Sequence, residues 1–158
     1  MFKYLSIATV GVALGVATQG DSAAAAEPFA KEIKARKAVM RIQAFNLSIL
    51  GAMAKGKMPY DAKAAQSAAD NLNATVNMKN GAMWPRGSDV GALGKRTRAK
   101  PEAWTMYPKV AEKSKALEAA AAKMAAAAGN GLGAVKANMK AIGQNCGGCH
   151  KIARGPKS

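Results

Sequence analysis

The sequence has few aromatic residues and few runs of β-branched residues. Aromatic side chains make up only 5% of the chain, whereas alanine, lysine and methionine recur along its length. Strands are enriched in β-branched and aromatic residues, while alanine, lysine and methionine favour helix. The composition therefore predicts an all-α protein and argues against a fold built on strands.

Cysteine and histidine are also scarce. The chain has two cysteines and one histidine, and all three lie within residues 146–150. A structural zinc site needs four protein ligands, and no second pair is present to complete one. A redox Cys-x-x-Cys motif is expected near a βαβ pattern, which the sequence does not show. A disulfide between the two cysteines stays open, but it leaves the adjacent histidine unexplained.

The stretch Cys146-Gly147-Gly148-Cys149-His150 is typical of c-type haem attachment. Two thiols at this spacing can each add to one vinyl group of a haem, and the imidazole that follows is then held beneath the iron. On a helix, Cys146 and His150 would project from one face because they are four positions apart. The motif predicts one covalent haem c, with Cys146 and Cys149 in thioether links and His150 as an axial iron ligand.

Long apolar runs are missing apart from residues 5–18. That run follows Lys3 and precedes a small-residue segment, 22–26, which offers an Ala-x-Ala cleavage site before Glu27. This arrangement predicts a secretory signal peptide over residues 1–26 and an exported domain over residues 27–158 that has no membrane span. Because c-type haem is attached outside the bacterial cytoplasm, the predicted location is the periplasm. A retained N-terminal anchor is the alternative.

Acidic residues are few: the chain has 9 against 24 basic residues, a formal net charge of +15. The carboxylates form no recognisable acid–base pair and there is no second histidine, so we do not expect an enzyme. A basic balance can indicate nucleic-acid binding, but an exported protein rarely meets nucleic acid. We expect redox partner proteins with acidic docking surfaces, or an anionic membrane surface. A generally solvated lysine-rich surface is the alternative.

Apolar residues recur at helical spacing in four segments, which predicts helices over residues 28–55, 61–78, 109–128 and 134–153. In the first segment, Ile33, Met40 and Leu47 recur every seven residues. Asp61 is expected to cap the second helix, whose alanine-rich face would let another helix come close, within this chain or in a homodimer. Further apolar positions expected to widen the packing face of the first helix are Val39, Ile42, Phe45 and Ile49.

Residues 80–101 interrupt this helical pattern with glycines, prolines and a basic cluster. A loop of this length inside a small domain is usually functional or disordered. Trp84 and Trp104 flank the loop and are expected to pin both its ends, and a helical turn is expected over residues 101–106. Four amphipathic helices with one long loop between the second and third predict an antiparallel four-helix bundle, with haem bound near the C-terminal helix.

With these motifs in place, the sequence resembles the cytochrome c' family, the class II c-type cytochromes, in which the haem motif also lies near the C-terminus. Cytochrome c' is itself a standard example of the up-down-up-down bundle. The resemblance covers essentially the whole of residues 27–158. It rests on residues 35–40 (Ala-Arg-Lys-Ala-Val-Met), 56–61 (ending Pro-Tyr-Asp), 84–89 (Trp-Pro-x-Gly-Ser-Asp), 97–104 (Thr-Arg-Ala-Lys-Pro-Glu-Ala-Trp) and 146–154.

The resemblance implies roles for four further residues. The family position that matches Met40 faces the open side of the iron, and in the low-spin branch, the c-556 type, it is a methionine that provides the sixth iron ligand. The matches also imply that Arg36 and Arg98 contact the haem propionates, and that Arg154 is the basic residue beside the haem histidine. Judged from spacing alone, Met40 would be a core residue and the arginines solvated charges, so these alternatives stay open.

Two functions are compatible with this resemblance. With His150 and Met40 both on the iron, the protein would be a soluble electron carrier, which is our prediction. The alternative is a five-coordinate cytochrome c' that binds nitric oxide or carbon monoxide as a sensor, store or scavenger. That alternative needs an open or displaceable sixth position on the iron.

Overall fold

Four long helices form the bundle in the computed structural model, which describes residues 27–156. In chain order the helices are α1 (Ala30–Ala54), α2 (Ala62–Val76), α3 (Val90–Leu93), α4 (Glu102–Thr105), α5 (Tyr107–Ala127) and α6 (Leu132–Ala153). The predicted all-α four-helix bundle, α1, α2, α5 and α6, is confirmed. None of the helices within residues 27–156 is long and apolar enough to cross a membrane. The predicted signal peptide, residues 1–26, lies outside the described residues.

Side-chain hydrogen bonds hold α1 against α2. Gln43 Nε2 donates to the carbonyl oxygen of Thr75 at 3.1 Å, and Asn71 Nδ2 donates to Asn46 Oδ1 at 3.4 Å. Residue numbers fall along α1 as they rise along α2, so the two helices are antiparallel. Asn46 is buried, and its side chain is satisfied because its Nδ2 also donates to a carbonyl one turn earlier.

Two apolar residues of α1 depart from the predicted packing face. Ile33 and Val39 are buried as predicted, but Ile42 and Phe45 are 47% and 65% exposed, so the prediction that they extend the packing face is wrong. Ile42 lies one turn before Asn46 on the same side of α1, but at the level where α2 ends, since the adjacent Gln43 bonds to Thr75 and α2 stops at Val76. Phe45 is exposed because it is rotated by about 100° from Asn46 around the helix.

The start of α2 is fastened to the junction between α5 and α6. Tyr60 Oη donates to the carbonyl oxygen of Ala128 at 2.9 Å and accepts from the N–H of Gly131 at 2.9 Å. Gln66 Nε2 donates to the carbonyl oxygen of Ala125 at 2.6 Å. The N-terminal end of α2 therefore lies beside the C-terminal end of α5, which makes these two helices antiparallel as well. Because only residues 128–131 join α5 to α6, α6 runs back along α5.

The buried apolar core fills the end of the bundle that lies away from residues 146–150. The alanine row predicted on α2 packs within this chain, between α1 and α5. Toward the other end, the core reaches only the partly buried Leu47 of α1, Leu117 of α5 and Cys146 of α6. Its buried members are Leu50, Met53, Ala65, Ala68, Ala69, Leu72, Val76, Ala120, Ala121, Met124, Ala128, Val135 and Ile142.

Because α2 is short, the long loop packs at the end of the bundle that carries residues 146–150. Asp61 caps α2 as predicted, since its carboxylate accepts from the N–H of Ala64 at 2.7 Å. However, α2 ends at Val76, after 15 residues, against 25 for α1. Residues 77–106 continue from that point and cover the open end, with α3 and α4 as short turns of helix inside them.

Two tryptophans hold the ends of this loop together. The rings of Trp84 and Trp104 meet edge to face with their centroids 6.1 Å apart, and Trp104 Nε1–H donates to the carbonyl oxygen of Trp84 at 3.0 Å. Such an aromatic pair stabilises the loop beyond its buried area, by about 0.5–1.5 kcal/mol. The prediction that Trp84 and Trp104 pin the loop is confirmed.

Candidate haem site

The last two turns of α6 carry the haem attachment motif. Cys146, Cys149 and His150 are all partly buried, and both thiols are free. The N–H of Arg154 donates to the carbonyl oxygen of His150 at 3.0 Å, so the helix remains regular through the motif. Cys146 and His150 therefore lie on one face of α6, as the spacing predicts.

Burial and nearby charge change the proton affinities of these groups. Burial raises the pKa of the Cys149 thiol, and burial together with the neighbouring Cys149 raises that of Cys146. Burial lowers the pKa of His150, and the positive charges of Arg154 and Arg98 lower it further. Both effects disfavour the protonated imidazole. His150 is therefore neutral at neutral pH and keeps the nitrogen lone pair that an iron ligand needs.

The surroundings of the motif fit a haem. The continuous apolar core stops where the motif begins, with Cys146 at its edge. Gly148 lets α5 come close, because a Cβ added there would lie 3.3 Å from Lys113 Cδ, whereas one added at Gly147 would meet no atom within 4 Å. Within the described chain, no group of three or more His, Cys, Asp or Glu could hold a bare metal ion.

Arg98 fastens the long loop to the segment that follows α6. Its Nε donates to the carbonyl oxygens of Gly155 and Pro156 at 3.0 and 2.9 Å, and its Nη2 donates to Gly155 at 2.6 Å. The backbone adds a hydrogen bond from the N–H of Gly155 to the carbonyl oxygen of Arg98 at 2.7 Å and a bridge between Ala99 and Arg154. Arg98 and Arg154 thus both lie beside the end of the haem helix. A propionate contact by Arg98 and a role for Arg154 beside the haem histidine stay predictions.

Arg36 is buried, with 4% of its surface exposed. Its Nη1 donates to Ser88 Oγ at 2.6 Å and to the carbonyl oxygen of Met83 at 3.4 Å; its Nη2 donates to the carbonyl oxygen of Ser88 at 2.6 Å and to Thr97 Oγ1 at 2.7 Å. The guanidinium carbon also lies 4.8 Å from the centre of the Trp84 ring. These bonds use all four terminal N–H groups. A propionate contact, which stays a prediction, would use Nε–H or replace one of them.

The two hydroxyl side chains that accept hydrogen bonds from Arg36, those of Ser88 and Thr97, were not among the predicted site residues. Ser88 and Thr97 are 0% and 2% exposed, which is unusual for hydroxyl side chains. Both occur in the segments that carry the family resemblance, 84–89 and 97–104, but nothing local marks a serine or threonine as the partner of a distant arginine. Burial lowers the pKa of Arg36, although nearby Asp89 acts in the opposite direction.

Met40 lies in the first half of α1, one turn after Arg36. It is 39% exposed, unlike Met53 and Met124, which are 1% and 0% exposed in the core. The alternative that Met40 is a core residue therefore does not describe its position. Its role as an iron ligand remains a prediction.

A four-helix bundle whose last helix ends in Cys-x-x-Cys-His defines a class of protein, the bundle-type c-type cytochromes. The helices supply the scaffold, and the last two turns of α6 supply two thiols and one neutral imidazole on adjoining positions.

Comparison with known proteins identifies the family. The family model described as Cytochrome C' matches residues 31–153. Cytochrome c-554 from Cereibacter sphaeroides is 39% identical over 122 residues, which cover 77% of this chain and 91% of that protein. Cytochrome c-556 from Agrobacterium tumefaciens is 29% identical over 125 residues, which cover 79% and 98%. The crystal structure of cytochrome c' from Thermochromatium tepidum is 31% identical and superposes with a TM-score of 0.73 over 82% of this chain and 98% of its own.

The chain therefore belongs to the cytochrome c' family and carries one covalent haem c. Both predictions, of the family and of the cofactor, are confirmed. Proteins of this family are electron carriers or gas-binding proteins rather than classical enzymes.

Proposed function

We propose that this protein is a periplasmic electron carrier in which His150 and Met40 are the two axial ligands of the haem iron, and Cys146 and Cys149 hold the haem. The haem supplies a one-electron change between ferric and ferrous iron. The observation that carries the proposal is the register of α1 against α6.

That register follows from one contact between the two helices. A Cβ added at Gly51 of α1 would lie 3.5 Å from Met139 Cε of α6. Met40 comes eleven residues before Gly51, and His150 comes eleven residues after Met139. Because α1 and α6 are antiparallel, both steps lead in the same direction along the bundle, each for about 16 Å at about 1.5 Å per residue.

The agreement between these two steps tolerates the usual tilt of bundle helices. A crossing angle of about 20° shortens a 16 Å step by only about 1 Å along the neighbouring axis. The contact is made by the tip of the Met139 side chain, so Met40 and His150 are expected within about one helical turn of the same level on neighbouring helices, beyond the point where the core stops. At that level, the Met40 thioether and the His150 imidazole could both hold the iron of one haem.

The other methionines of the long helices fit this role less well. Met139 lies on the same helix as His150 and packs against Gly51. Met53 and Met124 are buried in the core at the far end. Met/His ligation raises the reduction potential of a c-type haem, which suits an electron carrier.

Positive charge is concentrated around the end of the bundle that carries the haem motif. Lys34, Lys37, Arg41 and Arg96 line a groove of ≈ 360 Å³ beside the start of α1, together with Glu27, which forms an ion pair with Arg96. Further basic residues at this end are Lys31, Lys95, Lys109, Lys113, Lys115, Lys151 and Arg154. This distribution supports the proposal of redox partners with acidic docking surfaces.

A homodimer is a separate proposal, which sedimentation of the haem-loaded protein would test.

The spin state of the iron tests the ligand assignment directly. We expect electron paramagnetic resonance of the ferric protein and resonance Raman spectra of the ferrous protein to show a six-coordinate, low-spin haem, and carbon monoxide to bind slowly. A ferrous protein that is five-coordinate and high-spin would contradict the proposal. That result would support the gas-binding alternative.

A further inference from the structure

The continuous apolar core stops short of the level of Met40 and His150, where the buried apolar residues Val39 of α1 and Ala153 of α6 lie outside it. The apolar core reaches only Leu47 on α1 and Cys146 on α6, and α1 contacts α6 less extensively than it contacts α2. Packing within this core fixes α1 against α6 at the far end of the bundle. Near Met40 and His150, a second connection joins the two helices.

Hydrogen bonds through the long loop provide such a connection. Arg36, four residues before Met40, donates to Ser88 Oγ at 2.6 Å and to Thr97 Oγ1 at 2.7 Å. Next to Thr97, Arg98 holds the carbonyl oxygen of Gly155. Another bond joins the loop to the end of α6, from the N–H of Lys100 to the carbonyl oxygen of Ala153 at 2.9 Å.

We call residues 97–100, with these bonds to Arg36 on one side and to residues 153–156 on the other, the loop strap. It joins the turn of α1 that carries Met40 to the turn of α6 that carries His150. The connection is stiff because the Arg36 guanidinium is buried. A buried charge that loses an acceptor has no water to replace it, so the loop and α1 can separate only at a high cost.

We propose that the loop strap holds Met40 at binding distance from the iron, and that Thr97 and Ser88 are positioning residues for this ligand. The inference rests on the proposed His150/Met40 ligation. Neither hydroxyl touches the iron; each acts through Arg36 and the turn of helix that follows it. Thr97 Oγ1 also accepts from the N–H of Ala99 at 3.1 Å, so one hydroxyl joins Arg36 to the backbone of the strap.

Thr97→Val tests the proposal, since it keeps the side-chain shape and removes the acceptor. In the haem-loaded ferrous protein we expect carbon monoxide to bind about tenfold faster than in the wild type, which corresponds to about 1.4 kcal/mol in the Met40–iron equilibrium. Amide hydrogen exchange should also quicken at residues 97–100 and 153–155. Ser88→Ala provides a second variant, expected to change both quantities in the same direction, if Thr97→Val does not fold.

Tyr60→Phe is the matched control. Like Thr97→Val, it removes a hydroxyl with two hydrogen-bond partners; both partners of Tyr60 are backbone groups, and they lie at the opposite end of the bundle. We expect it to lower the thermal stability comparably while leaving carbon monoxide binding within about twofold of the wild type.

The outcomes distinguish a failure of the positioning role of the loop strap from a failure of the proposed His150/Met40 ligation. A low-spin wild type together with a Thr97→Val variant that loses stability but keeps the wild-type carbon monoxide rate would overturn the positioning role alone. A wild-type ferrous protein that is already high-spin would overturn the ligation and the positioning role with it. Faster binding in Thr97→Val and in Tyr60→Phe alike would also overturn the proposal, because it would show a general effect of stability.

Discussion

Replacing Met40 with alanine separates the effect of an iron ligand from that of ordinary packing. Burying a whole methionine side chain stabilises a protein by about 1.5–3 kcal/mol. Met40 is 39% exposed, so its packing accounts for about 1–2 kcal/mol. A loss of this size lowers the melting temperature but does not by itself change the electronic state of a haem.

If Met40 binds the iron, Met40→Ala has electronic consequences that packing cannot explain. The haem should become high-spin and five-coordinate or water-ligated, and carbon monoxide should bind readily. The reduction potential should fall because the thioether favours ferrous iron. For a one-electron couple, losing a hundredfold preference for the ferrous state lowers the potential by about 120 mV.

The assay compares Met40→Ala with Met78→Ala, by absorption and resonance Raman spectra, by redox titration and by stopped-flow mixing with carbon monoxide. Met78 lies just beyond α2 and is 43% exposed, so its truncation removes a similarly exposed thioether. We expect Met78→Ala to keep the wild-type spectrum and potential. The assignment would be refuted if Met40→Ala stayed low-spin with the wild-type potential, whatever its melting temperature.

Three further predictions concern the haem links, the docking surface and the haem histidine. Cys146→Ser and Cys149→Ser should each leave one thioether link and a less stable haem-loaded protein, measured by mass spectrometry after acid–acetone extraction and by thermal unfolding; haem fully lost from the wild type would contradict this. Electron exchange with an acidic partner should slow as salt rises, because the Debye length falls from about 10 Å at 0.1 M to about 3 Å at 1 M; rates independent of salt would argue that the charge serves solubility alone. The pKa of His150 is lowered in the folded protein, so the unfolded chain takes up a proton at a higher pH than the folded chain does. The stability linked to the neutral imidazole is therefore fully present above the unfolded pKa and is lost as pH falls through the folded pKa. Arg154→Gln removes one of the charges that lower this pKa, so acid loss of the histidine ligand should begin at a higher pH than in the wild type and in the control Lys151→Gln; unchanged acid transitions in the ferric spectrum would contradict this.

The chemistry of the cofactor and the class of the fold could be predicted from the sequence because both depend on near neighbours. The attachment motif needs only Cys146, Cys149 and His150 in the right order on a helix, and helical spacing is visible without the tertiary structure. The cap at Asp61 is equally local, since its partner is three residues away. Helix ends were predicted to within about two residues for the same reason.

The features that could not be predicted from the sequence depend on contacts between residues far apart in the chain. Ile42 and Phe45 look like core residues by their hydrophobicity, and only the tertiary structure shows that α2 ends level with Ile42 and that both residues stay exposed. Arg36 could be read as a solvated charge or as a propionate contact. The structure instead surrounds it with acceptors from a loop more than 45 residues away.

The sequence by itself determined that this protein holds one covalent haem in a bundle of four helices, because a five-residue motif and a helical period are properties of short segments. Only the tertiary structure decided that Met40 lies outside the buried core and how the long loop joins α1 to the end of α6. Those relations depend on helix register and loop closure, and a one-turn slip of about 5.4 Å would change both without altering the pattern of any segment.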